Sequence, residues 1–271
     1  MRVIVHPGFH KTGTSTIQTG LRAARTHLPD WAIALREDIP DASAAARAYS
    51  LTRDPMELGL YQAALADWAD ALPKGTKQAV ISIEGLSGHM PGRDGVLDYA
   101  AAPALMAALA EVFWAAYGSA LDLEMFLTIR ETSAWIDSLH WQHVRTGTLG
   151  EPLTAFRARL DGFEIAPTLR DIETAVAPAR VTSVALEETL SYPRGPLTPL
   201  LDRMGISLAA RAPIEAGVTA NARPSAVDRA VLADTLAAIN AEGLPREAAQ
   251  EKKRDVLRAA WREEAEVKSD D

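Results

Sequence analysis

No cysteine occurs in the 271 residues, which excludes disulfides, thiolate metal centres and a cysteine nucleophile. Long apolar runs are missing too: none approaches the ~18 residues that would cross a bilayer as a helix. An excess of positive charge is also lacking. The formal net charge is -8, so the chain as a whole repels nucleic acid and anionic membranes, and any anion site has to be a local patch. The first strand pattern begins at Arg2, which leaves no room for a signal peptide and predicts a cytoplasmic protein with no integral membrane segment. Internal repeats and low-complexity linkers are absent, and the length suits one large α/β core. The chain is read as a single domain, 1–271, with a helical insertion at about 41–72 and a charged helix at about 245–271.

What is present is concentrated at the amino terminus, MRVIVHPGFHKTGTSTIQTGL. Val3-Ile4-Val5 is the pattern of a buried parallel strand. The run breaks at Pro7-Gly8, passes through a loop holding Lys11 and Gly13, and resumes as a helix from about Thr14. Such a strand–loop–helix unit is a phosphate cradle. Amide N–H groups point outward at the helix start, the macrodipole adds partial positive charge, and a lysine adds a full one. The order of residues decides which kind. A Walker A loop places Lys after its second Gly, whereas Lys11 precedes Gly13 here, so an ordinary ATP or GTP hydrolase fits poorly.

A second segment has matching logic. Leu121 to Ile129 reads as a strand, and it runs into Arg130, with Ser138 eight residues further on in a predicted helix. A planar guanidinium grips phosphate through two parallel charge-assisted bonds, and a hydroxyl two turns later adds a neutral donor.

The run Lys11-Thr12-Gly13-Thr14-Ser15-Thr16, within His6 to Gln18, resembles the 5′-phosphosulfate loop of sulfotransferases. These enzymes use 3′-phosphoadenosine 5′-phosphosulfate (PAPS) as sulfuryl donor, and the version here looks like that of bacterial members. Arg130 and Ser138 have the spacing of the family's pair for the donor's 3′-phosphate. The resemblance implies a P-loop nucleoside-triphosphatase-like fold of the sulfotransferase type. It further implies a PAPS co-substrate without a metal, and a small-molecule or glycan acceptor bearing a hydroxyl or amine. Donor binding would fall to Lys11, Thr12, Gly13, Thr14, Ser15, Thr16, Arg130 and Ser138. PAPS is made in the cytosol, in line with the compartment expected above. The likeness covers about forty residues around the two motifs, so it speaks to the donor far more than to the acceptor.

For catalysis, Lys11 is the candidate to stabilise the leaving phosphate. A base is needed for the acceptor's proton. Glu84 ranks first: it follows the strand Gln78–Ile83 in a Gly-flanked turn, and Ser82-Ile83-Glu84 resembles a Ser-x-Glu at this place in bacterial relatives. His10 ranks second, since an ordinary imidazole titrates near neutrality, and His89 third. Each has a plainer reading: helix capping for the hydroxyls, a backbone-bonded turn for Glu84, loop orientation for His10.

Strand patterns near 2–6, 78–83, 121–129 and 180–186, separated by helical stretches such as 101–116, predict a doubly wound, mostly parallel sheet flanked by helices. Ligands in such sheets bind at the carboxyl ends of strands, where Lys11, Glu84 and Arg130 all fall. His140 and His143 share a helix face, but with no H-E-x-x-H and no Cys they are not expected to bind metal. Trp135, Leu139 and Trp141 on that helix read as core, with Trp141 open to a second use as a sugar platform. Asn221 and Arg223 form a basic loop before a helix capped by Ser225, read either as a turn plus cap or as a cover for the nucleotide. Two other functions stay open. A kinase-like P-loop enzyme would want an Asp at a strand end for Mg²⁺, and a non-catalytic nucleotide- or anion-binding protein would keep the cradle without a base. The sequence carries no sign of oligomeric state.

Overall fold

A computed structural model describes residues 1–211, 213–214 and 229–269. Asn221, Arg223 and Ser225 lie outside the described residues, as do Asp270 and Asp271 of the charged tail. The chain forms two compact units. One comprises Met1–Thr132 and Glu164–Ala220, the other Ser133–Phe163 and Asn221–Asp271.

The first unit is built on five strands: β1 (Arg2–His6), β2 (Ala32–Ala34), β3 (Gln78–Ser82), β4 (Asp122–Ile129) and β5 (Arg180–Ala185). They lie in the order β2-β3-β1-β4-β5, and every pairing is parallel. This is the α/β architecture expected from the strand patterns. β2 is an addition: three residues without alternation, which the sequence pattern does not mark.

Helix α1 (Thr14–Ala24) leads from β1 to β2. α2 (Pro40–Thr52) and α3 (Pro55–Asp70) lead to β3, α4 (Ala102–Tyr117) to β4, and α7 (Ile165–Ala175) enters β5. The step from β1 to β2 runs toward one edge of the sheet and all later steps run toward the other. Right-handed crossovers therefore put α1 on one face and α2, α3, α4 and α7 on the opposite face. Packing follows that division. Ile4, Val80 and Phe126 form one core with Ile17 and Leu21 of α1 and with Leu197, Leu200 and Leu201 of α8 (Leu197–Arg203). On the other side α3 packs on both α2 and α4, and α4 on α7. β1 is central and covered on both faces, so Val3, Ile4 and Val5 are all fully buried, each contributing roughly 1.5–3 kcal/mol.

A buried carboxylate borders this core. Glu124 of β4 is buried, accepts hydrogen bonds from Thr182 Oγ1 (2.9 Å) and Arg203 Nε (3.1 Å), and so ties α8 to the sheet. The Arg203 guanidinium also lies over the Phe126 ring, 4.4 Å from its centroid.

The second unit is helical. It contains α5 (Thr132–Thr146) from its second residue on, α6 (Leu153–Arg159), α10 (Arg229–Ala241) and α11 (Arg246–Ser269); the remaining helix of the chain, α9 (Leu208–Arg211), belongs to the first unit. Trp141 and Val144 of α5 pack with Leu232, Leu236 and Ala260. Trp135 stacks on Phe163 at 4.4 Å. Lys253 is buried, and its ammonium donates to the carbonyls of Val144 and Gly147 at the end of α5, a cation set where the helix dipole is negative. Among the described residues no helix is long and apolar enough to cross a membrane.

Candidate functional site

The doubly wound order has one switch point. The connection after β1 leaves in one direction and that after its neighbour β4 leaves in the other, and in open α/β sheets the carboxyl ends beside such a point are where ligands bind. The loop 7–13 and Arg130 sit at those two ends.

Three residues of the loop, Gly8 (φ 61°), Lys11 (φ 68°) and Gly13 (φ 95°), take left-handed backbone conformations. A side chain at Gly8 would bring its Cβ within 2.5 Å of Thr14 Cγ2, and one at Gly13 within 2.8 Å of Leu186 Cδ1. Both glycines are there for backbone angle and close approach together. Lys11 has no such exemption and holds a strained conformation. Gly13 caps α1 without a side chain, and no acidic residue stands in the first turn. The opening amides and the dipole of an eleven-residue helix thus face the loop uncapped by side chains.

Under the loop runs a buried polar chain. Ser82 Oγ lies 2.9 Å from His6 Nδ1, and His6 Nε2 lies 3.3 Å from Thr128 Oγ1. Thr128 Oγ1 is 2.8 Å from Thr12 Oγ1, which donates to the Phe9 carbonyl at 2.7 Å. The ends of three strands are thereby linked to the loop. Burial lowers the His6 pKa to about 3, so this imidazole is neutral and structural. The Thr12 hydroxyl is committed to the same floor.

Above the floor, Thr14 Oγ1 donates to Glu84 Oε1 at 2.5 Å. Glu84 opens a short 3-10 turn, Glu84–Ser87, directly after β3. Its other oxygen, Oε2, lies 4.0 Å from His10 Nε2. The His10 amide donates to Tyr99 Oη at 2.7 Å, and its Nδ1 is 3.1 Å from the same oxygen. A phenol that accepts from the amide has its proton for Nδ1, which leaves the Nε2 proton directed toward Glu84. His10 does not keep the ordinary imidazole value expected of it. Burial lowers its pKa first of all, the Glu84 carboxylate opposes that, and His89, Arg93 and Arg47 reinforce it.

Arg130 reaches back to the loop: its Nη1 donates to the Lys11 carbonyl at 3.3 Å, while its Nε stands 3.9 Å from Glu187 Oε1. Lys11, Ser15 and Thr16 are half-buried around the helix start. Lys11, His10, Thr14, Glu84 and Arg130 are therefore gathered at one end of the sheet. Ser138 lies on α5, in the second unit.

No family model matches this chain, and no curated protein or solved structure matches it either.

His89, the third candidate base, is held by its own surroundings. Its amide donates to Ser50 Oγ (3.0 Å), its Nδ1 donates to the Met90 carbonyl (3.0 Å), and its Nε2 is 3.2 Å from Asp94 Oδ2. Burial lowers its pKa. In the second unit, His140 Nε2 donates to the Glu151 carbonyl at 2.7 Å, and His140 and His143 both lean on the Phe156 ring. No group of three His, Asp or Glu suited to a metal ion occurs among the described residues. Trp141 is 2% exposed, so it is core and has no face for a sugar.

Sequence reasoning missed His6, Tyr99 and Arg47. His6 carried a signal, a titratable residue closing an apolar strand. Arg47 carried one too: Ser43, Arg47 and Ser50 recur at i, i+4, i+7 on an otherwise alanine-rich helix, a polar stripe.

Proposed function

We propose that this protein is a sulfotransferase that moves a sulfuryl group from 3′-phosphoadenosine 5′-phosphosulfate to a hydroxyl or amine acceptor, on a sheet of the P-loop type. The observation that carries the reading is the bond from Arg130 Nη1 to the Lys11 carbonyl. Two segments 119 residues apart, each with the order of a donor motif, meet through that bond. The uncapped start of α1 and the two left-handed glycines suit a 5′-phosphate approaching the backbone closely.

On this reading the loop amides and the hydroxyls of Ser15 and Thr16 hold the 5′-phosphate, and Arg130 takes the nucleotide's other phosphate. The acceptor oxygen attacks sulfur, the bond from sulfur to the 5′-phosphate oxygen breaks, and the electron pair leaves with 3′-phosphoadenosine 5′-phosphate. Lys11 and the α1 dipole neutralise the charge that grows on that leaving oxygen; one such donor is worth roughly 10²–10³ in rate. Glu84 takes the acceptor's proton. With Oε1 fixed by Thr14, Oε2 is the oxygen available, and neutral His10 beside it orients the carboxylate.

A second reading has its own support. A helix-start hydroxyl bonded to a carboxylate, Thr14 to Glu84, is the kind of pair that holds Mg²⁺ in kinase-like P-loop enzymes. Calorimetry separates the two. A sulfotransferase binds 3′-phosphoadenosine 5′-phosphate tightly without magnesium, and Arg130→Ala weakens that binding by roughly 2–4 kcal/mol, as loss of a charge-assisted phosphate contact does. Preference for ATP with Mg²⁺ would establish the kinase-like reading instead.

A further inference from the structure

We propose that the acceptor carries an oxyanion, held by Arg47 and Arg93 beside Glu84; the assignment rests on the sulfotransferase reading above. Arg47 projects from α2 onto the turn that begins with Glu84. A Cβ placed on Gly85 would lie 3.5 Å from Arg47 Nη1 and 3.0 Å from Ser43 Oγ. The guanidinium and the hydroxyl thus converge on the residue next to the candidate base.

This cation is left uncompensated. Arg47 is half-buried, and among the described residues it makes no ion pair or hydrogen bond. The charges acting on it are those of Arg36 and Arg93, and they reinforce burial in disfavouring its charged form. Arg93 joins the group through Asp94, whose Oδ2 lies 3.2 Å from His89 Nε2 and 3.6 Å from Arg93 Nε, and its charge also opposes protonation of His10 and His89. Asp94 is exposed. Arg36 and Arg93 are themselves exposed, so the cost falls on half-buried Arg47, a cation facing like charges that an anion would offset.

Two further groups point the same way. Ser43 and Ser87 are each 1% exposed, and neither Oγ has a hydrogen-bond partner among the described residues. Buried hydroxyls are nearly always satisfied, and both flank the Glu84–Ser87 turn, from α2 and from within it. Forked guanidinium donors with neutral hydroxyls suit a carboxylate or a sulfate ester. In a chain of net charge -8, such a patch selects for acidic acceptors against neutral ones.

Protein saturated with 3′-phosphoadenosine 5′-phosphate is titrated with glucuronate, glucose 6-sulfate and glucose, followed by protein-observed NMR. The acidic probes are expected to bind at least tenfold tighter than glucose. Arg47→Met should abolish that preference and Arg93→Met reduce it severalfold, with Arg47→Lys retaining part. Thermal melts confirm that each variant is folded. The two acidic probes report which oxyanion is preferred. Equal binding of acidic and neutral sugars, or wild-type behaviour of Arg47→Met, overturns the proposal. So does competition between the acidic probes and the bisphosphate, which would give the cluster to the donor. The titration repeated without bisphosphate tests the cluster by itself. Failure of the bisphosphate to bind counts against the donor assignment, not against the anion site.

Discussion

Glu84 Oε1 accepts a 2.5 Å hydrogen bond from Oγ1 of Thr14, the residue that opens α1. A carboxylate is thereby held at the positive end of a helix that would otherwise be offered wholly to an incoming anion. Under the proposed function two consequences oppose each other: the carboxylate would receive a proton, and it would repel the donor's phosphate. Glu84→Gln separates them, because a glutamine carbonyl can still accept from Thr14. Turnover should fall at least 100-fold, in line with loss of a general base, while affinity for 3′-phosphoadenosine 5′-phosphate stays level or rises. A variant with undiminished turnover would remove Glu84 from the mechanism.

Lys11 combines a charge with a left-handed backbone, φ 68°. Glycine adopts that conformation freely, although it also loses more entropy on folding. Lys11→Gly should therefore be as stable as the wild type or more stable by up to ~1 kcal/mol, and Lys11→Met should match wild type in stability. Both should lose turnover. Thermal melts paired with sulfuryl-transfer assays check this; activity in either variant would mean that the lysine charge is not what the leaving group needs.

The His6 pKa is lowered from 6.5 to about 3 by burial, and this sets a pH dependence with a definite sign. Below pH ~6.5 the unfolded chain gains a proton at His6 that the folded protein refuses, so stability falls as pH drops from there toward 3. One such histidine contributes a slope of up to ~1.4 kcal/mol per pH unit. His10, His89 and His140 are shifted in the same direction and steepen it. Urea midpoints between pH 7.5 and 5 should decline, and His6→Asn should remove about one proton's worth of slope. An unchanged slope in the variant would mean that His6 is not held neutral.

The strands were legible where burial on both faces wrote an apolar run: Val3–Val5, Gln78–Ile83 and Phe126–Ile129 all announce themselves. The loop between β1 and α1 was legible because glycine marks the left-handed angles that Gly8 and Gly13 adopt. β2 was not, since Ala32–Ala34 is too short for a period. Glu124 was not either. It interrupts an apolar strand, and its partners Thr182 and Arg203 are 58 and 79 residues away, a pairing that only the folded chain creates. The unmatched charge of Arg47 acquires meaning only when α2 meets the turn after β3.

Thr128 tests whether the floor of the loop matters to the proposed nucleotide site above it. Its hydroxyl is the one link between His6 Nε2 (3.3 Å) and Thr12 Oγ1 (2.8 Å). Thr128→Val keeps the shape and removes the link, leaving the imidazole nitrogen buried without a partner while Thr12 keeps the Phe9 carbonyl. A loss of about 1–3 kcal/mol in stability follows from an unsatisfied buried polar group. If the floor also sets the angles of residues 8–13, affinity for 3′-phosphoadenosine 5′-phosphate should weaken severalfold, although no ligand-facing group has changed. Thr128→Ser, which restores the hydroxyl, should recover most of that affinity. Urea melts and calorimetry on both variants separate the two effects: reduced stability with undiminished affinity in Thr128→Val would mean that the chain from Ser82 to Thr12 supports the fold alone and leaves the cradle to shape itself.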